Sequence, residues 1–129
     1  MVTRQSELER LLGELSRELP DPLWIAIIDS DGLLIASTPP EAEISLDQIA
    51  AMTATTTIAS KRVIGEIAGG SFRFAAIAGS ARQLVSLALD NQRYLSLGFL
   101  PQVQTHQIFG PLSEIVPQIL ETLRKHFSA

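Results

Sequence analysis

The chain has no cysteine among its 129 residues. That removes disulfides, thiolate nucleophiles and cysteine-based zinc sites together, and it is compatible with a reducing compartment. Histidine is nearly as scarce: His106 and His126 are the only two. Neither has a second histidine or a carboxylate at helical spacing to complete a metal pair, so they read as solvated loop and helix-end residues. No apolar run reaches 18 residues, which excludes a transmembrane helix, and the polar start MVTRQSELER lacks the apolar core of a signal peptide. The expected location is cytoplasmic, without membrane insertion. A basic excess is also missing. Ten Lys and Arg stand against fourteen Asp and Glu for a net charge of −4, and Lys61-Arg62 and Arg124-Lys125 are the only basic doublets, so nucleic acid is not an expected partner.

Catalytic constellations fail one by one on a residue that each mechanism requires. Gly65 to Gly70 has the spacing of a phosphate loop, but Ser71-Phe72 stands where Lys and Ser/Thr belong, and a helix precedes it instead of a strand. Asp29-Ser30-Asp31-Gly32 has the look of a calcium loop. Aligned on Gly32, however, it puts Ile27 at the first ligand and Thr38 at the bidentate acid, so it reads as a turn. Ser71 and Ser80 lack the glycine pattern of a nucleophile elbow. Trp24, Phe72, Phe74, Tyr94, Phe99 and Phe127 fall mostly at core-facing positions, which favours packing over a ligand cage. The expectation is a protein that is not an enzyme and holds no cofactor or metal.

What is present is the patterning of a soluble globular domain, 46% hydrophobic and 19% charged, expected to be one domain over residues 1–129. The organising stretch is WIAIIDSDGLLIAS, Trp24 to Ser37. Trp24 to Ile28 and Leu33 to Ala36 are apolar without alternation, so both faces of this hairpin must be covered, and Asp29 to Gly32 supplies its turn. Ser6 and Glu9 form a capping box before Leu8, Leu11, Leu12, Leu15 and Leu19, which gives a first helix broken by Pro20 and Pro22. After Pro39-Pro40, Ser45 with Gln48 and an Ile44–Ile49 staple opens a long second helix, Leu46 to Ile67, stopped by Gly69-Gly70.

On that helix Ile49, Met52, Thr56, Ala59, Val63 and Ile67 form one stripe, expected to face the sheet, beside a smaller side of Ala50, Ala51, Ala54, Thr57 and Ile58. Thr55-Thr56-Thr57-Ile58 is β-branched and costs roughly half a kcal/mol per residue in helix propensity. Three strands follow, Phe72 to Ala78, Gln83 to Leu89 and Tyr94 to Leu100. In the last, Leu95, Leu97 and Phe99 point one way while Tyr94, Ser96 and Gly98 leave a smaller opposite face that admits a helix. Gln102 to Gly110 reads as irregular. Leu112, Ile115, Val116, Ile119, Leu120, Leu123 and Phe127 then trace a third helix. Pro117 either occupies its first turn or kinks an earlier start.

The order helix, hairpin, long helix, three-stranded meander, helix resembles the roadblock or dynein light chain family over nearly the whole chain. The residues that carry the likeness are IAIIDSDGLLIAS with Asp31-Gly32 at its turn, the Leu46 to Ile67 helix, and RYLSLGFLP followed by a loop and a Gly before the last helix. The resemblance implies an α+β, three-layer α/β/α profilin-like fold of order α-β-β-α-β-β-β-α with an antiparallel five-stranded sheet. It also implies a non-catalytic homodimer that scaffolds or regulates a Ras-like small GTPase. In such dimers the long helix packs on its mate and the first meander strand pairs with its twin. On this sequence that points to Ala51, Ala54, Ile58, Ala59, Phe72 and Phe74 as the dimer interface, and leaves Gln48, Thr55, Lys61, Arg62 and Glu66 for the partner. The alternatives are an adaptor subunit of a motor or kinase complex, and a small-molecule sensor with a cavity at Ser96 and Gly98.

Overall fold

The computed structural model describes residues 2–125. Its elements are α1 (Arg4–Glu18), β1 (Trp24–Asp29), β2 (Leu34–Thr38), α2 (Leu46–Glu66), β3 (Phe74–Ala78), β4 (Gln83–Ala88), β5 (Arg93–Phe99) and α3 (Thr105–Arg124). The five strands make one antiparallel sheet in the order β2-β1-β5-β4-β3, so the hairpin lies beside the last strand and β3 is an edge. Helices α1 and α3 pack on one another over one face of the sheet, and α2 covers β1, β2 and β5 on the other.

The uninterrupted apolar run of β1 has the reason the sequence suggests. Trp24 to Ile28 are all buried, with Ile25 and Ile27 in the α1/α3 core and Trp24, Ala26 and Ile28 under α2. The hairpin turn closes through one side chain: Asp29 Oδ1 accepts from the Asp31 and Leu33 amides at 2.9 and 3.0 Å, and Gly32 supplies a φ of +83°. On β5, Leu95, Leu97 and Phe99 join the larger core while Tyr94, Ser96 and Gly98 look toward α2, as their alternation requires.

Three features of the helices differ from expectation. The first helix begins at Arg4, because Thr3 is its cap: Thr3 Oγ1 accepts from the Ser6 amide at 3.0 Å and Ser6 Oγ accepts from the Thr3 amide at 2.9 Å. Ser6 belongs to the capping box, but at the third helical position and without Glu9. The third helix starts at Thr105, inside the stretch read as irregular, and carries both Pro111 and Pro117 within it. Each proline removes one intrahelical bond, a loss of about 3 kcal/mol in a helix interior. Burial of Ile108, Leu112, Ile115, Ile119 and Leu123 offsets that cost. Phe127 and His126 lie outside the described residues.

The third difference concerns the face of α2. Its buried residues are Leu46, Ile49, Ala50, Thr53, Ala54 and Thr57. Of the stripe expected to face the sheet, Ile49 alone is buried, while Met52, Val63 and Ile67 are 61, 59 and 67% exposed. The sheet beneath presents Ser86, Ser96 and Gly98, already topped by the Trp24 ring, and small helix residues fit that surface where larger ones do not.

Candidate protein-interaction surface

The outer side of α2 and the neighbouring edge strand form the part of the molecule with most apolar surface left in water. Ser45 sets the start of the helix, its hydroxyl accepting from the Gln48 amide at 3.3 Å. The helix ends after Glu66, where Gly69 donates to Ile64 O at 2.8 Å and Ala68 takes a left-handed φ of +55°. Between these caps the 3.6-residue period divides the surface in three. The crest carries Gln48, Thr55, Arg62 and Glu66, all exposed.

One flank carries Ala51 and Ile58 and looks toward the sheet end that bears the two turns. There an added Cβ on Gly32 would lie 3.2 Å from Ala51 Cα and 3.6 Å from Ala54 Cβ. The opposite flank carries Met52, Thr56, Ala59 and Val63 and turns away from those turns, toward the side of the sheet that α2 does not cover. Ile77 of β3, 51% exposed, stands there on the same sheet face, since its register opposite Leu84 fixes its direction.

The residues read from sequence as a dimer interface separate accordingly. Ala51, Ile58 and Ala59 are on the surface of α2. Ala54 is not: it is 6% exposed, packed in the core under the helix and against the hairpin turn, and is already used by the fold. Phe74 and Phe72 do not act as one unit either. Phe74, 49% exposed, points to the α3 side of β3, where its ring packs against Phe109 with centroids 4.8 Å apart. Phe72 precedes the strand and lines a cleft of about 390 Å³ beneath the end of α2, with Lys61, Gly65, Ala88, Asp90 and Asn91.

The polar set expected to meet a partner loses one member. Lys61 is turned inward, its ammonium donating to the Tyr94 hydroxyl and lying 5.0 Å from the centre of the Tyr94 ring. It therefore stands apart from the crest, and Arg62 remains as the crest's cation. Asp90, at the floor of the cleft, is held by its own turn. Oδ1 accepts from the Gln92 and Arg93 amides at 2.9 and 2.8 Å, and Arg93 Nη2 lies 2.9 Å from Oδ2. Partial burial pushes the Asp90 carboxyl up, but those amides and the guanidinium outweigh it and hold the group below the ordinary carboxylate range.

The face proposed for a sensor's cavity is occupied by the protein itself. The Trp24 ring lies on Gly98, and Ser96 Oγ accepts from Trp24 Nε1 at 3.1 Å and Thr53 Oγ1 at 3.0 Å. Among the described residues, no three His, Cys, Asp or Glu side chains converge on a metal-sized site. No helix among them is long and apolar enough to cross a membrane. The exposed apolar residues Met52, Val63, Ile67 and Ile77 escaped the sequence reading as a surface. For Met52, Val63 and Ile67 the signal is the helix stripe itself, which faces away from the sheet, and for Ile77 it is the alternation of β3.

Comparison with known proteins places this surface on a familiar scaffold. The family model described as Roadblock/LC7 domain matches residues 8–98. Among solved structures, MglB of Myxococcus xanthus is similar with a TM-score of 0.82 at 14% identity, over 92% of this chain and 95% of that one. A Roadblock/LC7 domain from Streptomyces avermitilis gives 0.83 at 16% identity, over 93% and 100%. Profilin IA of Acanthamoeba castellanii gives 0.53 at 11% identity, over 92% and 97%. A search of curated protein sequences found no match.

Proposed function

Because this chain belongs to the Roadblock/LC7 family, we propose that it is a non-catalytic homodimeric scaffold that binds and regulates a Ras-like small GTPase. The observation that carries the reading is the outward apolar side of α2 beside an unpaired edge strand. Met52, Val63, Ile67 and Ile77 are each more than half exposed, and β3 offers an edge that carries no proline and one flanking charge, Arg73. A soluble monomer rarely leaves such a patch uncovered, and a bare edge strand invites pairing. A second copy related by a two-fold axis covers both at once, helix on helix and strand beside strand.

That arrangement leaves the crest residues Gln48, Thr55, Arg62 and Glu66 of the two copies as a composite polar surface for the GTPase. Arg62 is its cation, and binding through it weakens as salt rises. No residue is assigned as an arginine finger, since ordering of the GTPase's own catalytic groups can stimulate hydrolysis equally well. The similarity to MglB is consistent with this role, and the filled Ser96–Gly98 face removes the support a sensor would need.

The test is a titration of the GTP-bound and GDP-bound forms of a genomically adjacent GTPase, with mass measured in parallel by light scattering. A dimer that prefers one nucleotide state, and loses affinity on Arg62→Glu, is the expected result. A monomer at micromolar concentration refutes the dimer, and failure to bind either nucleotide state refutes the GTPase reading in favour of an adaptor for another complex.

A further inference from the structure

We propose that the β3 strands of two copies pair antiparallel with the two-fold axis passing through Ala76. This rests on the dimer reading above and adds a register to it, that is, which residue of one copy lies opposite which residue of the other.

The hydrogen bonds between β3 and β4 fix which β3 residues serve the open edge. In an antiparallel ladder, successive residues turn their N–H and C=O groups alternately toward one neighbouring strand and away from it. Arg73 opposite Ala88 and Gly79 opposite Arg82 continue the β3–β4 register at its two ends. The Ala88 amide donates to Arg73 O and the Gly79 amide to Arg82 O, both at 2.9 Å. Arg73, Ala75, Ile77 and Gly79 therefore bond toward β4. Phe74, Ala76 and Ala78 turn their backbone groups outward, and no strand lies beyond β3 among the described residues.

Residues opposite one another in a ladder share a face of the sheet, and β3 alternates faces along its length. A two-fold axis normal to the sheet must therefore set one residue opposite itself. With Ala76 at that point, Ala76 lies opposite Ala76 of the mate, and Phe74 opposite Ala78 of the mate, twice. All three are pairs of outward residues, and at two hydrogen bonds a pair they give six. An axis at Ala75 or Ile77 leaves two such pairs within the strands, and four bonds.

The side chains select the same register. On the α2 face Ile77 lies opposite Ala75 of the mate, and on the α3 face Phe74 lies opposite Ala78, so each large residue meets a small one. Arg73 lies opposite Gly79. An axis at Ala75 instead sets Arg73 against Ile77, and an axis at Ile77 carries Phe74 past the strand to Ser80. The sequence FAAIA is thus complementary to itself about its central alanine, which makes a second copy of this chain the occupant of the edge.

The chain has no cysteine, so single-cysteine variants of the full-length protein report the register by oxidation. A disulfide spans Cα atoms about 4.4–6.8 Å apart. Residues directly opposite stand at about 4.5–5.5 Å, and diagonal neighbours at about 7–8 Å. Ala76→Cys is expected to form a disulfide-linked dimer about tenfold faster than Ala75→Cys or Ile77→Cys alone. Those two variants crosslink to each other once refolded together, because Ala75 of one copy lies opposite Ile77 of the other. Faster crosslinking of Ala75→Cys or Ile77→Cys alone, or no preference among the three, overturns the register. Light scattering of the reduced variants reads the dimer separately. A dimer without the Ala76→Cys crosslink refutes the register alone, and a monomer refutes the dimer reading and the register with it.

Discussion

Gly98→Ala is the smallest change expected to damage the fold severely, and its cost can be worked from the geometry. The Trp24 ring lies flat on the β5 backbone. A Cβ added at Gly98 falls 2.3 to 2.4 Å from Cζ3, Cε3 and Cη2 of that ring. Carbon atoms not bonded to each other rest at about 3.5 to 4.0 Å, so the indole must retreat by roughly 1 Å or more. It is 5% exposed and has little room to move. Overpacking of this kind costs about 1–3 kcal/mol. The same movement stretches the 3.1 Å bond from Trp24 Nε1 to Ser96 Oγ and strands a buried donor, which adds about 1–3 kcal/mol. A total of about 2–6 kcal/mol stands against the 5–15 kcal/mol that is typical of a whole domain. Urea denaturation followed by far-ultraviolet circular dichroism measures it, with fluorescence of Trp24, the single tryptophan, as a local reporter. Trp24→Leu removes the obstructing ring, so Gly98→Ala in that background costs less than about 1 kcal/mol if the clash is the cause. Additive losses in the double variant, or a single-variant loss below 1 kcal/mol, refute the argument.

Ala54→Glu is expected to unfold the protein, because the charge enters the core, whereas Ala59→Glu leaves the circular dichroism unchanged and weakens association by light scattering. Ala68→Gly relieves a left-handed backbone at the end of α2 and raises stability by about 1 kcal/mol in urea denaturation. Asp90→Asn destabilises at neutral pH. The folded carboxyl titrates below its unfolded value, so its contribution is present above the unfolded pKa and lost as pH falls through the folded one, and the two stability curves converge in acid. Isothermal calorimetry with GTP, ATP or zinc is expected to show no micromolar binding, since the Gly65 to Gly70 loop lacks its lysine and the sequence has no cysteine.

Sequence patterns specify which residues share a face more firmly than which face turns inward. For β1 the question does not arise, because an apolar run without alternation requires cover on both sides, and helices lie on both. In α2 the period of 3.6 correctly groups Met52, Thr56, Ala59 and Val63. Ranking that group by hydrophobicity sends it to the sheet, and the structure sends Ala50, Thr53, Ala54 and Thr57 instead. The deciding information lies far along the chain, 43 residues from Thr53 to Ser96, where the small face of Ser96 and Gly98 is a better match for small helix residues than for large ones. Helix ends show a related degeneracy. Thr3, Ser6 and Glu9 offer two overlapping capping boxes, and local chemistry alone does not choose between them. At Pro111 and Pro117 the tertiary burial of Ile108, Leu112 and Ile115 outweighs the local breaking tendency, and the stripe that begins at Leu112 does not report the turn before it.

The consequence for assembly follows from magnitudes. Fully burying a Val, Ile or Met side chain is worth about 1.5–3 kcal/mol, so Met52, Val63, Ile67 and Ile77, each a little over half exposed, have roughly 1 kcal/mol apiece still to gain. Two copies of all four give on the order of 8 kcal/mol, which lies within the ~4–15 kcal/mol that association costs in lost freedom. Helix packing alone therefore does not make a tight dimer. Pairing of the β3 edges adds backbone hydrogen bonds, at ~0.5–1.5 kcal/mol each, and the shared apolar surface of the strands. With so narrow a margin, a single charge placed among Met52, Ala59 and Val63 is enough to tip the balance. Ala59 sits between the other two on that flank and is exposed in the monomer, so a glutamate there meets water instead of the core. Its substitution thus reports on association and on nothing else, and a dimer that survives Ala59→Glu places the two-fold contact on the Ile58 flank instead.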